Sequence, residues 1–220
     1  MKIKAVLFDF DHTLGDRKRY AYAAYSFFVT SSVKGMDAFT KETMIQECML
    51  LDQQGNVNKM YVRNEILRKY AVDLGEDFAE RWNRQLWRYT VLFPDAMETL
   101  TTLRNRGYKL GVITNGNNKE QHQKLRQVGL EDFFDVLLVS DEVGMKKPDP
   151  AIYRLAAEKL GLPCEACCFV GDLWQTDLLG AHRAGMTPIW MASDGWHPCA
   201  PGMVQQISSV SMLLDIFKAL

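Results

Sequence analysis

The chain has 220 residues, of which 47% are hydrophobic and 24% are charged, and its formal net charge is −1. This composition is ordinary for a globular protein that is long enough to bury a core. The small net charge excludes a general attraction to nucleic acid or to an anionic membrane, and no apolar run is long enough to span a bilayer. The first apolar stretch is interrupted by Asp9 and Asp11, unlike a signal peptide. We therefore expect a cytoplasmic protein.

The first predicted element is a buried strand at residues 3–8, and a helical segment follows it. Residues 16–92 contain no convincing strand but several apolar stripes at helical spacing, which predict about four amphipathic helices. The stripes are Tyr20, Ala24, Phe27 and Ser31; Met44, Cys48 and Leu51; Val62, Ile66 and Tyr70; and Phe78, Trp82, Leu86 and Tyr89. We interpret them as the core of a helical domain at 16–92, inserted between residues 1–15 and 93–220 of a second domain. An insertion at this place could act as a lid.

The rest of the chain alternates strands and helices. The predicted strands are residues 108–114, 134–139, 167–170 and 187–191. The predicted helices are residues 95–106, 118–128, 150–160 and 176–184. Continuous apolar strands separated by helices are typical of a parallel sheet that is covered on both faces. The sequence therefore predicts an α/β core with a doubly wound, Rossmann-like parallel sheet.

Polar residues follow four of the predicted strands. They are Asp9, Asp11 and Thr13 after the first strand, Thr114 and Asn115 after the second, Lys146 and Lys147 after the third, and Asp172 and Asp177 after the fourth. Each group alone could be ordinary turn or helix-cap chemistry. Ligands of open α/β sheets bind at the carboxyl ends of the strands, so we expect the four groups to meet in one site.

This set of motifs resembles the haloacid dehalogenase-like hydrolase superfamily. The resemblance runs over nearly the whole α/β part, through DFDHT, GYKLGVITNG, GMKKPDPAIY and VGDLWQTDLLGAHRAGM. It is closest to the phosphatase-type branch with a helical cap between the first motif and the second strand. The family implies a Mg²⁺-dependent phosphomonoester hydrolase that forms an aspartyl-phosphate. Its substrate would be a small phosphorylated metabolite, such as a sugar phosphate or a nucleotide, and the oligomeric state is left open.

The resemblance also implies catalytic roles. Asp9 would be the nucleophile that attacks phosphorus. Asp11 would be the general acid for the leaving oxygen and then the general base for the hydrolytic water. Thr114, Asn115 and Lys147 would bind the phosphoryl group, and Lys147, the residue directly before Pro148, would also neutralise Asp9.

The metal site follows from the same resemblance. The carboxylates of Asp9 and Asp172 and the backbone carbonyl of Asp11 would hold Mg²⁺. Asp177 would lie behind these ligands and orient the lysine or a metal-bound water. Asp11 favours phosphate esters over halocarbons, because an alkoxide leaving group needs a proton and a halide does not.

Several alternatives stay open at this point. A phosphomutase would carry the same two aspartates, and a non-catalytic binding module could use the same fold. Arg17, Lys18 and Arg19 could reach an anionic substrate or could form the solvated first turn of a helix. The late loop with Trp196 and His197 could border the entrance to the site.

Overall fold

The structure is a computed structural model, and it describes residues 2–195, 198–200 and 202–218. Trp196 and His197, suggested above to border the site, lie outside these residues. The chain forms two compact units. One contains residues 1–16 and 92–220 and is called the α/β unit, and the other, Arg17–Val91, is called the helical unit. Among the described residues, no helix has both the length and the apolar character that crossing a membrane requires.

A six-stranded parallel sheet in the order β3-β2-β1-β4-β5-β6 forms the centre of the α/β unit. The strands are β1 (Ala5–Phe8), β2 (Lys109–Thr114), β3 (Val136–Val139), β4 (Cys167–Gly171), β5 (Thr187–Met191) and β6 (Gln205–Ile207). Phe8 at the end of β1 stands opposite Val112 of β2 and Val170 of β4. The chain therefore leaves these three neighbouring strands at the same edge. The strand order reverses at β1, which is where doubly wound sheets bind ligands.

The helical unit contains four α-helices. They are α1 (Arg17–Ser32), α2 (Ala38–Asp52), α3 (Lys59–Tyr70) and α4 (Phe78–Gln85). A short 3₁₀ turn, Leu86–Tyr89, follows α4. The Asp37 carboxylate accepts the backbone N–H of Thr40 and caps α2 at 2.9 Å, and Asn58 caps α3 through the N–H of Met60 at 2.8 Å. Such caps satisfy amide groups that have no partner within the helix.

Aromatic packing forms the core of the helical unit. The rings of Tyr25 and Trp82 lie 4.2 Å apart between centroids, and those of Phe28 and Phe78 meet edge to face at 5.1 Å. The predicted stripe on α1 is partly wrong, because Phe27 is 43% exposed whereas Phe28 is buried. Apolar residues occur almost all round this helix, so their spacing alone does not select the buried face.

Six further α-helices lie in the described part of the α/β unit. They are α5 (Ala96–Asn105), α6 (Asn118–Gln127), α7 (Ser140–Val143), α8 (Pro150–Leu160), α9 (Leu179–Ala184) and α10 (Leu213–Ile216). A π-helical turn, Trp174–Leu178, occupies the start of the helix predicted at 176–184.

The two faces of the sheet bury different residues. Phe8 of β1 packs in one apolar cluster with Leu100 of α5. The preceding residue, Leu7, packs in another cluster with Ile152 of α8. Successive residues of a strand point to opposite faces, so both faces are covered. This confirms the predicted doubly wound α/β fold.

Candidate active site

The loop after β1 holds its two aspartates in different ways. The backbone N–H of Asp9 donates to the carbonyl of Val170 at 2.9 Å, so Asp9 continues the strand pairing. The chain then turns sharply, and the N–H groups of Leu14 and Gly15 both donate to the carbonyl of Phe10, at 3.0 and 2.8 Å. Asp9 is therefore fixed by the sheet, whereas Asp11 lies on the turn.

Lys147, in the loop between α7 and α8, contacts the carboxylate of Asp9 after β1 and that of Asp177 in the π-helical turn after β4. Its Nζ lies 2.6 Å from Asp9 Oδ1 and 2.7 Å from Asp177 Oδ1, and all three residues are buried. The neighbouring Lys146 is exposed. The second oxygen of Asp177 accepts the backbone N–H of Leu173 at 3.0 Å. Both oxygens of Asp177 are thus engaged, one of them by the lysine.

Gly171 at the end of β4 lets Asp177 approach this closely. A Cβ atom at position 171 would lie 2.4 Å from Cβ of Asp177 and 2.6 Å from its Oδ2. Such distances are far below a van der Waals contact, so only glycine fits without a shift of the aspartate. The glycine therefore contributes to the site through close packing.

Three carboxylates form the acidic part of the site. Asp9, Asp172 and Asp177 each offer an oxygen, and these oxygens lie within 4.8 Å of one another. Burial raises the pKa of Asp9 to about 7, although Lys147 opposes this shift. Burial, followed by the charges of Asp9 and Asp177, raises the pKa of Asp172 to about 9. If all three carboxylates were ionised, they would exceed the charge of Lys147 by two, and the raised pKa values reflect the cost of that excess. Oxygen donors grouped in this way fit a divalent cation such as Mg²⁺, which would offset the excess charge.

Thr114 and Asn115 stand where β2 ends, as predicted. Thr114 is buried at the end of the strand. The Asn115 side chain makes two hydrogen bonds to the backbone of Lys147: its Oδ1 accepts the N–H at 2.9 Å, and its Nδ2 donates to the carbonyl at 3.0 Å. The structure thus brings Asn115 to the loop that carries Lys147, and both polar atoms of the Asn115 amide are hydrogen-bonded to the backbone of that lysine.

Two residues that the sequence reasoning missed contact Asp11. Lys124 Nζ lies 2.9 Å from Asp11 Oδ2, and Gln121 Nε2 lies 3.4 Å from the same oxygen. Both residues lie on the buried face of α6, together with Leu125. The sequence did contain a signal for these contacts, namely a lysine and a glutamine on the apolar face of a predicted helix. Polar groups that are buried normally have a hydrogen-bond partner, so both residues could have been expected to contact another polar group.

Arg17 makes its described contacts inside the helical unit. Its Nη1 lies 2.9 Å from Asp52 Oδ2, and the Tyr25 hydroxyl donates to Asp52 Oδ1 at 2.8 Å. Lys59 Nζ also pairs with Asp52. The suggestion of a solvated first turn is therefore wrong for Arg17, which is buried, whereas Lys18 and Arg19 are exposed.

The fold and the site together define an α/β protein with a cluster of carboxylates and a buried lysine at the switch point of its sheet. A family model of haloacid dehalogenase-like hydrolases matches residues 6–191. The chain therefore belongs to the haloacid dehalogenase-like hydrolases, and it is a phosphatase-type member of that family.

Two relatives and one solved structure show the range of the similarity. A glyceraldehyde 3-phosphate phosphatase of Methanopyrus kandleri is 34% identical over 197 residues, 85% of this chain and 83% of the relative. The pyrimidine 5'-nucleotidase YjjG of Escherichia coli is 28% identical over 225 residues, 100% of this chain and 99% of the relative. The HAD-hydrolase YfnB of Bacillus subtilis, solved bound to magnesium, shares the fold with a TM-score of 0.76 and 23% identity, over 98% of this chain and 99% of YfnB.

Proposed function

We propose that the protein is a Mg²⁺-dependent phosphomonoesterase that acts on small phosphorylated metabolites through an aspartyl-phosphate at Asp9. The observation that carries this proposal is the contact of 2.6 Å between Lys147 Nζ and Asp9 Oδ1, inside the cluster of Asp9, Asp172 and Asp177. A buried carboxylate that is held by an ammonium group at the ligand-binding edge of the sheet is suited to attack an electrophilic phosphorus.

The reaction would take place in two displacements. An oxygen of Asp9 attacks phosphorus, the bond from phosphorus to the ester oxygen breaks, and Asp11 gives a proton to the leaving oxygen. Water then attacks the phosphorus of the aspartyl-phosphate, Asp11 takes a proton from the water, and the bond to Asp9 breaks to release inorganic phosphate. Lys147 and Thr114 would stabilise the negative charge on the phosphoryl oxygens in both steps.

The cation would be held by the carboxylates of Asp9 and Asp172 and by the backbone carbonyl of Asp11. When bound, it would neutralise the excess negative charge of the cluster and of the phosphoryl group. Asp177 is outside this proposed ligand set, because Lys147 and the N–H of Leu173 already engage its two oxygens. Its proposed role is to hold the lysine.

The substrate class is supported by what the relatives have in common. A triose phosphate and a pyrimidine nucleotide, named for two of them, are both small molecules with one phosphomonoester and differ elsewhere. We propose that the helical domain, at residues 16–92 between the two parts 1–15 and 93–220 of the catalytic domain, is a cap that selects the substrate. Its position in the chain, directly after the loop that carries Asp9 and Asp11, supports this role.

The test is the release of inorganic phosphate from p-nitrophenyl phosphate and from a panel of small phosphorylated metabolites. Asp9→Asn should reduce turnover on the order of 10⁴-fold or more, whereas the exposed Asp132→Asn, a matched control, should retain it. EDTA should abolish turnover and added Mg²⁺ should restore it. Activity in a folded Asp9→Asn variant would exclude the nucleophile, and full activity in EDTA would exclude the metal. A phosphomutase would instead form an isomeric phosphate ester without equal release of phosphate.

A further inference from the structure

The carboxylate of Asp11 is held by a lysine of α6. Lys124 is 2% exposed, and its Nζ lies 2.9 Å from one oxygen of Asp11 and 3.3 Å from the other. The same ammonium lies 3.1 Å from Oε1 of Glu120, one turn earlier on the helix. A buried ammonium that contacts both oxygens restricts the rotation of the carboxylate group about the Cβ–Cγ bond of Asp11.

Gln121 adds a second contact and connects it to the next loop. Its Nε2 donates to the backbone carbonyl of Asn115 at 3.1 Å and lies 3.4 Å from Asp11 Oδ2. The amide orientation follows from this, because both neighbours are acceptors and only the NH₂ group can donate to them. Gly116 leaves room for the side chain, since a Cβ there would lie 2.7 Å from Gln121 Nε2.

These contacts form a continuous network between the proposed acid and the proposed nucleophile. Asp11 contacts Gln121, Gln121 donates to Asn115, Asn115 bonds the backbone of Lys147, and Lys147 contacts Asp9. All five residues lie in the α/β unit. The network links the position of the Asp11 carboxylate to that of Asp9.

We propose that Lys124, assisted by Gln121, is a positioning residue that holds the Asp11 carboxyl group for proton transfer to the leaving oxygen. This inference rests on the proposed function, in which Asp11 is the general acid. A general acid must lie within hydrogen-bond reach of the oxygen that it protonates. Loss of Lys124 would remove the ammonium described in contact with both oxygens of Asp11, and misplacement of the carboxyl group by about 1 Å can cost on the order of 100-fold in rate.

The experiment compares two leaving groups. The p-nitrophenolate ion leaves with little help from an acid, whereas the alkoxide of glycerol 2-phosphate must be protonated. Lys124→Met should lower kcat/KM for glycerol 2-phosphate by about 10- to 100-fold and that for p-nitrophenyl phosphate by no more than about 3-fold. The ratio kcat/KM includes the steps only up to departure of the leaving group, so slow hydrolysis of the aspartyl-phosphate does not obscure the comparison.

The controls separate positioning from other roles. Lys119→Met makes the same charge change at an exposed position of α6 and should leave the ratio of the two kcat/KM values unchanged. Lys124→Arg keeps a cationic donor and should restore most of the lost activity. Asp11→Asn should show the same selective loss as Lys124→Met. If Lys124→Met does not fold, Gln121→Met supplies the test and should shift the ratio in the same direction.

The outcomes distinguish the two proposals. If the unmodified protein hydrolyses neither ester in the presence of Mg²⁺, the proposed function is wrong. If Asp11→Asn changes the ratio but folded Lys124→Met or Gln121→Met does not, the proposed function stands and the positioning role is overturned. Equal losses on both esters in Lys124→Met would also overturn it, because they would indicate a contact with the phosphoryl group that both esters share.

Discussion

Replacement of Asn115 by alanine should impair catalysis by loosening the loop that carries Lys147. The substitution removes two hydrogen bonds, of 2.9 and 3.0 Å, to the backbone N–H and carbonyl of that lysine. Each buried backbone group that loses its partner costs about 1–3 kcal/mol. Asn115 is half-buried, so water can replace part of the loss and the lower half of that range applies to each group, about 2–4 kcal/mol in total. Divided between stability and rate, this predicts a loss of roughly 10-fold in kcat/KM.

The assay combines kcat/KM for p-nitrophenyl phosphate with the inhibition constant of inorganic phosphate. If Asn115 acts by holding Lys147, Asn115→Ala should lower kcat more than it weakens phosphate binding. Asn115→Asp should be more harmful, because it sets a carboxylate oxygen against the Lys147 carbonyl and adds charge to an acidic site. The exposed Asn105→Ala is the matched control. The reasoning is refuted if Asn115→Ala leaves both kcat and the thermal midpoint unchanged, or if it changes only the phosphate inhibition constant.

Three further predictions concern packing and charge. Gly171→Ala places a Cβ 2.4 Å from that of Asp177 and should reduce kcat/KM on p-nitrophenyl phosphate at least about 10-fold; unchanged kinetics would contradict it. Asp52→Asn leaves Arg17 and Lys59 buried beside a neutral amide and should destabilise the protein by about 3–5 kcal/mol in urea unfolding; a change below about 1 kcal/mol would show that water compensates the charges. Burial raises the pKa of Asp52, but Arg17 and Lys59 outweigh it and hold that pKa below its ordinary 3.8. The ionised Asp52 therefore stabilises the fold above pH 3.8, and this stability is lost as the pH falls through the lower folded value. The urea midpoint should fall more steeply below pH 3.8 in the unmodified protein than in Asp52→Asn, and parallel curves would refute the assignment.

Much of the fold could be predicted because the helix start and stop residues and the apolar strand runs agree with the elements that the sheet pairs together. The helix α8 begins at Pro150 and ends before Gly161, as its start and stop residues indicate. The strand β5 also has the predicted limits, 187–191. By contrast, β6 was not predicted, because Gln205 and Gln206 give it no apolar run and it exists only by pairing with β5. An edge strand of this kind depends on its neighbour more than on its own residues.

The site could be predicted only as a set of strand ends. Parallel strands bring Asp9 and Asp172 to one edge, so their order along the chain was sufficient for these two residues. The choice of Lys147 over Lys146 came instead from the resemblance to the family. The hydrogen bonds of Asn115 depend instead on a loop 32 positions further along the chain. The contact of Lys124 with Asp11 joins residues 113 positions apart. No local pattern specifies which buried amide or ammonium group meets which loop, so these partners required the structure.

The two aspartates after β1 illustrate why similar residues can carry different chemistry. Asp9 continues the sheet, is 7% exposed, and lies against Lys147 within the acidic cluster. Asp11 lies on the turn, where its side chain is more exposed and meets the ammonium of Lys124. The proposed nucleophile, Asp9, needs a fixed position, which the sheet provides, whereas the proposed acid and base, Asp11, needs a carboxyl group that can exchange protons with solvent. The turn at Phe10 lies between the two aspartates, so two residues only two positions apart have different surroundings. On this reasoning, Lys124 gives the more exposed carboxyl group of Asp11 a defined direction.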